Sequence, residues 1–223
     1  GFVMAELPAE TRALLVDVSQ RDVDVDWRGF ADIPRSGPIN VLVWPGGASC
    51  RLTQDIERRE KMALGVFGRH FMVAGGRSQS GEQVPHTYVG DLTTGAIERL
   101  PIGLGARRSF ASITAFRMPS DDPDSASPAL VAGGEDPDSA TPLATAEIYM
   151  PKPGAPGDIG DFDRDRIDLA EARTRHGSTT LVTGETLLVG GRGPGGLLRT
   201  MEIIDPVTRR ARNGGVALLT VAR

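Results

Sequence analysis

The stretch that decides the fold is Leu130-Val131-Ala132-Gly133-Gly134, an apolar run closed by a pair of glycines. It returns as Leu187-Leu188-Val189-Gly190-Gly191, and an earlier copy reads Phe71-Met72-Val73-Ala74-Gly75-Gly76. The first glycines of the three pairs lie 58 and 57 residues apart. Even spacing of one motif over such distances is the signature of a repeat protein, in which each copy is one supersecondary unit. The sequence therefore predicts three copies of a unit whose apolar strand ends in Gly-Gly.

Each copy continues with a further strand-like stretch and a turn. These stretches occupy residues 87–95, 145–151 and 200–208, where Asp, Pro and Gly supply the backbone angles of a turn. A leucine and one or more arginines then precede the next copy, at Leu100 with Arg107-Arg108 and at Leu169 with Arg173 to His176. Leu219 and Arg223 repeat this pattern, so we expect the chain to stop at the opening of another unit.

Composition limits the class of protein. Of the 223 residues, 39% are hydrophobic, and 28 glycines with 16 prolines suit many tight turns better than long helices. The formal net charge of −4 argues against a broadly basic nucleic-acid-binding surface. No apolar run approaches the 18 or so residues that a membrane-spanning helix needs. The bias towards arginine, with Lys61 and Lys152 as the two lysines, favours a bacterial source with a GC-rich genome.

The repeated residues resemble the kelch motif. In that family an Arg, often with a His, precedes the first strand of a blade, the second strand ends in Gly-Gly, and the third carries Glu and Asp-Pro-x-Thr. The best match is the copy from Arg173 to Thr208, which contains Glu202 and Asp205-Pro206-Val207-Thr208. The middle copy has Met150 where the motif has Asp, and the tryptophan that follows the third strand in the animal consensus is missing from all three.

The resemblance implies an all-β fold, a kelch-like β-propeller that is partial or small, with three to four blades visible. Stacked four-stranded blades bury both of their apolar faces, which one blade cannot do alone. We expect a strand-rich amino-terminal segment with a degenerate blade at residues 1–62, in which residues 39–44 resemble a third strand, and kelch-like blades at 63–223. We expect a short helical turn at residues 8–15 and a long irregular loop at residues 151–166.

Arginines are the strongest candidates for ligand contact. Arg77 and Arg192 directly follow a Gly-Gly pair, and Arg108 and Arg175 precede first strands. In kelch propellers, arginines at these two repeat positions line one face around the axis and contact acidic ligands. A guanidinium fork suits bidentate recognition of carboxylate or phosphate. The alternative is that these side chains pair with Asp or Glu of a neighbouring blade, and Glu135 interrupts the series in the middle copy.

Other reactive residues indicate no catalytic, metal or cofactor site. Acid-rich loops, such as Asp161-Phe162-Asp163-Arg164-Asp165, could ligate calcium but lack the glycine and distal glutamate of an EF-hand, which favours a solvated surface loop. His70 and His176 each follow an arginine just before a predicted strand, and we expect a structural role for both. The lone cysteine, Cys50, is either an incidental thiol or half of a disulfide to another chain or segment.

We therefore expect a non-catalytic binding or assembly module whose partner is a protein or a glycan, with possible self-association through blade edges. One alternative is a kelch-propeller enzyme that acts on sugars, of the oxidase or sialic acid mutarotase type. Another is a structural subunit completed by neighbouring chains. By the same resemblance to bacterial kelch proteins, we expect an extracellular or periplasmic location, with no nucleic acid partner.

Overall fold

The protein is all-β. The computed structural model describes residues 56, 59–78, 81–82, 84, 86–91, 96–116, 127–152, 159–213 and 219, and it describes the strand pairing of 2–6, 12–16 and 41–44. No helix occurs within these ranges, and accordingly none there is long and apolar enough to cross a membrane. The all-β prediction is confirmed, whereas the closure of the sheets into a propeller stays a prediction.

Three four-stranded antiparallel sheets follow one another along the chain, each a simple meander. Sheet I consists of β4 (Ala63–Phe67), β5 (His70–Ala74), β6 (Tyr88–Asp91) and β7 (Ile97–Arg99). Sheet II consists of β8 (Ser112–Ala115), β9 (Ala129–Ala132), β10 (Thr145–Met150) and β11 (Asp161–Asp168). Sheet III consists of β12 (Gly177–Thr180), β13 (Thr186–Val189), β16 (Met201–Asp205) and β17 (Arg210–Asn213).

Two smaller elements complete the description. A three-stranded amino-terminal sheet has the order β1 (Phe2–Glu6), β2 (Arg12–Val16) and β3 (Val41–Trp44). A short hairpin, β14 (Arg192–Gly193) and β15 (Gly196–Leu197), leaves sheet III after its second strand. The expected third strand near residues 39–44 is thus present as β3, but the helical turn expected at 8–15 is wrong where β2 runs, because Arg12–Val16 pairs with strands on both sides.

Apolar packing between consecutive sheets forms the core. Met72, Ala74 and Val89 of sheet I pack with Ile113 and Val131 of sheet II in one buried cluster. A second cluster joins sheet II to sheet III, and its buried members include Leu130, Ala132, Ile148, Leu188 and Ile204. Sheet II is therefore covered on both faces, which explains why all four residues of β9 are buried rather than alternate ones.

The Gly-Gly pairs end the second strands, as predicted. Gly75, Gly133 and Gly190 have φ of 65°, 57° and 59°, and the glycine that follows each has φ between 89° and 94°. These angles lie in the left-handed region that residues with a Cβ atom rarely adopt. A Cβ atom at Gly133 would also run into the carbonyl oxygen of Arg173, at the start of the next sheet. The pair is thus required by backbone angle and by close approach of the following sheet.

The irregular loop expected at residues 151–166 is wrong for its second half. Asp161–Asp168 forms the eight-residue outer strand β11, which pairs with β10 across an irregularity between Glu147 and Tyr149. Its alternating charges, read as a solvated loop, belong to an edge strand. Charged side chains on an edge discourage pairing with other chains, so a polar sequence is compatible with a strand there.

Candidate functional site

Arg108 lies inside sheet II rather than on a surface. Its guanidinium is fully buried and donates to the carbonyl oxygens of Gly133 and Thr145 at 2.7 and 2.8 Å, and to Glu147 Oε1 at 2.6 Å. Burial lowers the pKa of Arg108, while the neighbouring Glu147 opposes that shift. A guanidinium covered in this way is a structural group, but its carboxylate partner belongs to the same sheet and not to a neighbouring blade, as the alternative drawn from the sequence had it.

The same arrangement recurs in sheet III around Arg173. Its guanidinium donates to the carbonyl oxygen of Gly190 at 2.9 Å and to Glu202 Oε1 at 2.7 Å, and both side chains are buried. The structural equivalent of Arg108 is therefore Arg173, not Arg175 as the sequence suggested. Arg108 and Arg173 are equivalent because each donates to the carbonyl oxygen of the first glycine in the Gly-Gly pair of its own sheet.

Sheet I contains a third member of the series. Arg59 is buried and donates to the carbonyl oxygens of Gly75 and His86 at 3.1 and 2.6 Å. Where sheets II and III have a glutamate, sheet I has Tyr88, and the Arg59 guanidinium lies 5.4 Å from the centre of that ring. Since Arg59 also binds His86 where Arg108 binds Thr145, the true counterpart of Thr145 is His86 rather than Thr87.

We call Arg59, Arg108 and Arg173 the buried arginines. Beyond joining strands within a sheet, two of them tie successive sheets together through the backbone. The amide of Gly76 donates to the carbonyl oxygen of Arg108 at 2.9 Å, and the amide of Gly134 donates to that of Arg173 at 2.9 Å. The Gly-Gly pairs of sheets I and II thus each meet the buried arginine of the following sheet.

Two residues after each buried arginine comes a side chain that reaches the surface. These residues are Lys61, Phe110 and Arg175, and all three have positive φ, of 59°, 54° and 55°. Their backbones are linked, because the Phe110 amide donates to the Lys61 carbonyl oxygen at 2.8 Å and the Arg175 amide to the Phe110 carbonyl oxygen at 3.2 Å. Non-glycine residues in this region are strained, and such strain is concentrated at functional sites.

Phe110 lies between two cations. The Arg175 guanidinium is 3.8 Å from the centre of the Phe110 ring, and the Lys61 ammonium is 5.8 Å from it. The Arg175 side chain is 53% exposed and forms an ion pair of 3.3 Å with Glu135, which is 12% exposed. We call Lys61, Phe110, Glu135 and Arg175 the Phe110 cluster. In this cluster the half-exposed Arg175 side chain is held by a cation–π contact and by an ion pair.

The positions directly after Gly-Gly lie beside this cluster. Arg77 forms backbone bridges with Glu60, next to Lys61, and Arg192 forms them with Thr174, next to Arg175. Arg192 is exposed and makes no ion pair with any residue that the structure describes. Arg77 is more covered and lies 3.5 Å from Asp138, which also pairs with Arg107 at 3.2 Å. The structure therefore brings Arg175 and Arg192 to the same edge of the sheets.

A serine–histidine pair lies at the contact between sheets II and III. His176 Nε2 is 2.8 Å from Ser112 Oγ, and nearby Thr180 Oγ1 donates to the Ala115 carbonyl oxygen at 2.6 Å. Burial, and to a lesser degree the charge of Arg173, lowers the pKa of His176 to about 4. Its Nδ1 atom is buried and has no hydrogen-bond partner among the residues that the structure describes. No carboxylate of those residues therefore orients the ring through this atom, and an imidazole of such low pKa is a weak base at neutral pH.

The remaining histidine and the acidic residues singled out from the sequence have structural surroundings. His70 is the first residue of a second strand whereas His176 precedes a first strand, so the two Arg-His dipeptides are not equivalent. Asp161 and Asp163 pair with Lys152 and Arg209 at 2.9 and 2.6 Å. Within the described ranges, no three His, Cys, Asp or Glu side chains are grouped as metal ligands would be. Cys50, Asp121, Asp122, Asp124 and Arg223 lie outside the described residues.

No family model matches the chain, and no curated protein sequence matches it. The resemblance to kelch repeats therefore stays with the residues quoted above. Phe110 and Lys61 were not recognised from the sequence as site residues. The signal that would have found them is the constant offset of two residues from a buried arginine, which becomes visible once Arg59, Arg108 and Arg173 are aligned.

Proposed function

We propose that this protein is a non-catalytic binding and assembly module of the kelch-like propeller type, and that it recognises acidic groups on a protein or a glycan. The observation that carries the proposal is the Phe110 cluster. The Arg175 guanidinium lies 3.8 Å from the centre of the Phe110 ring, with half of its side chain exposed, and the neighbouring residue Thr174 forms a backbone bridge with the exposed Arg192. An arginine that is already ordered loses little side-chain freedom when it binds a carboxylate, so binding costs less.

A negatively charged ligand can compete with Glu135 for the Arg175 guanidinium, because the ion pair between these two residues is weak. The ion pair between these residues is 3.3 Å long and includes an exposed guanidinium, a geometry that contributes little stability. An incoming carboxylate can therefore engage the remaining donors of Arg175, or displace Glu135, at small cost. Two uncompensated or weakly compensated cations at one edge suit an acidic peptide or a sialylated glycan.

The experiment is a titration with sialyllactose and with an oligoglutamate peptide, compared with lactose and an oligoglutamine peptide. Arg175→Gln is expected to weaken binding of an acidic probe at least about tenfold, as expected for the loss of a charge-assisted contact. Arg164→Gln is the matched control, because Arg164 is exposed on the outer strand β11 away from the cluster. Equal weakening by both variants, or equal binding of acidic and neutral probes, would contradict the proposal.

The enzyme alternative is tested with the same sugars. Turnover of sialyllactose or of its free sialic acid, lost in Ser112→Ala or His176→Gln but kept in Arg175→Gln, would replace the binding proposal by a catalytic one. The secreted location that the resemblance implies is compatible with recognition of surface glycans or proteins and stays a prediction.

A further inference from the structure

Each sheet contributes two residues to the edge at which the Gly-Gly pairs lie. The first position stands two residues after the buried arginine, and the second position directly follows the glycine pair. The six residues are Lys61 and Arg77 for sheet I, Phe110 and Glu135 for sheet II, and Arg175 and Arg192 for sheet III. A backbone bridge joins each second position to the residue just before the first position of the same sheet, so the two positions are neighbours. The three sheets can therefore be compared position by position.

The sheets differ in the charge that they bring to this edge. Both positions of sheet I and both positions of sheet III are cationic, whereas sheet II supplies an aromatic ring and one carboxylate. The first positions follow one another as Lys61, Phe110 and Arg175, and backbone hydrogen bonds of 2.8 and 3.2 Å connect them. Phe110 therefore stands between two cationic residues that belong to different sheets.

The two cations that contact Phe110 are close enough to bind one ligand together. The Lys61 ammonium lies 5.8 Å and the Arg175 guanidinium carbon 3.8 Å from the centre of the ring, so these two groups are no farther apart than the sum of the two distances. An extended peptide places the side chains of residues i and i+2 on one face, about 7 Å apart. Two flexible acidic side chains with that spacing can reach both cations at once.

Each of these cations already holds one carboxylate of the protein weakly. Lys61 pairs with Glu60 at 3.7 Å, and the two side chains are 40% and 50% exposed. Arg175 pairs with Glu135 at 3.3 Å, and half of the Arg175 side chain is exposed. Exposed pairs of this kind contribute little stability, so a ligand that brings two carboxylates can replace both at small cost.

We propose that the Phe110 cluster binds a diacid, with one carboxylate on Lys61, the other on Arg175, and the connecting atoms against the half-buried Phe110 ring. This inference rests on the proposed function and narrows its ligand to one with two acidic groups, such as two acidic side chains at positions i and i+2 of an extended peptide. A glycan with a single sialic acid can engage one of the two cations and is therefore the weaker ligand.

The test is a titration of the full chain, followed by NMR chemical shifts, with the blocked tripeptides Glu-Ala-Glu, Glu-Ala-Gln and Gln-Ala-Glu. We expect Glu-Ala-Glu to bind at least about tenfold more tightly than either peptide with one acid, because it makes one more charge-assisted contact. Lys61→Gln should remove that advantage, whereas Lys61→Arg, which keeps the charge, should retain it. Far-UV circular dichroism checks that each variant is folded.

Lys152→Gln is the matched control for Lys61→Gln. Lys152 is the second of the two lysines in the chain, and it also pairs with one carboxylate, that of Asp161 at 2.9 Å. It follows the end of β10 that is opposite to Thr145, the residue that contacts Arg108 near the Gly-Gly edge. The advantage of the second carboxylate should therefore be unchanged in this variant.

A second pair of probes separates a free diacid from an acidic peptide. Adipate is compared with hexanoate, which has the same number of carbon atoms but one carboxylate. Tighter binding of adipate that is lost in Lys61→Gln would support the inference and show that two carboxylates suffice. An advantage of the second carboxylate that is confined to the peptide would support it for an extended chain.

This inference and the proposed function fail separately. A second carboxylate that gives no advantage, or an advantage that survives Lys61→Gln, would overturn the diacid assignment. The proposed function would still hold if Arg175→Gln weakened binding of the peptides with one acid. Acidic probes that bind Arg175→Gln as tightly as the unmodified protein would overturn both.

Discussion

Replacing Glu202 with glutamine tests whether the buried arginines hold their sheets together. The Glu202 carboxylate accepts hydrogen bonds from the amides of Ala170 and Glu171 at 2.8 and 3.1 Å, and from Arg173 at 3.2 and 2.7 Å. Glutamine keeps the shape but removes the charge and turns one acceptor into a donor. Arg173, whose side chain is fully buried, then keeps the longer ion pair of 3.8 Å with Glu171, whose side chain is 38% exposed.

The expected loss is large. Removing one partner of a buried ion pair costs about 3–5 kcal/mol of the free energy of unfolding. For a chain of this size about 2–4 °C is lost per kcal/mol, so the thermal midpoint should fall by about 6–20 °C. The assay is thermal and urea unfolding followed by far-UV circular dichroism, which reports the β-sheet content directly.

Glu185→Gln in the same sheet is the matched control. Glu185 pairs with Arg212 at 2.6 Å, a distance shorter than that of the Glu202 pair, but the Arg212 side chain is 57% exposed. Exposed pairs contribute little, so the midpoint of this variant should stay close to that of the unmodified protein. Equal effects of Glu202→Gln and Glu185→Gln would refute the reasoning, because burial would then not decide the strength of these pairs.

Two further predictions concern the seams between sheets. Gly133→Ala should lower the free energy of unfolding by more than about 1 kcal/mol, and by more than Gly81→Ala does. Both glycines have positive φ, but of the two only Gly133 would place a Cβ atom against a backbone carbonyl oxygen. Urea unfolding of the two variants measures the difference. The pKa of His176 is lowered to about 4 from an ordinary value near 6.5, so the unfolded chain binds the proton more readily. Stability from this group is complete above about pH 6.5 and is lost as the pH falls towards 4, by at most about 3 kcal/mol. His176→Gln should flatten that part of the pH profile, and an unchanged profile would contradict the prediction.

Much of the fold could be predicted because short stretches of sequence are enough to recognise each copy of the repeat. The three Gly-Gly pairs mark positions where the backbone takes left-handed angles, and such positions are recognisable wherever they recur. The apolar runs before them are buried second strands, as expected. By contrast, β11 was missed because a charged edge strand has the composition of a loop, and composition alone does not show which segment completes a sheet.

The candidate site was predicted in part. Arg175 and Arg192 share an exposed edge, but Arg108 belongs to the interior, and its true counterparts are Arg59 and Arg173. Arg108 was aligned with Arg175 instead of Arg173 because these two arginines stand two residues apart and the sequence does not distinguish them. Strand register decides which of the two side chains points into its own sheet and which reaches the surface.

The sequence by itself determined the repeat, its all-β character and the glycine pairs, since these depend on backbone angles and on the burial of adjacent residues. The tertiary structure alone decided which charges meet. Arg108 and Glu147 are 39 residues apart in the chain, and Arg175 reaches Phe110 across the boundary between two sheets. Such partnerships depend on strand register and on the order in which sheets pack, and neither is encoded by the residues on one side of the contact.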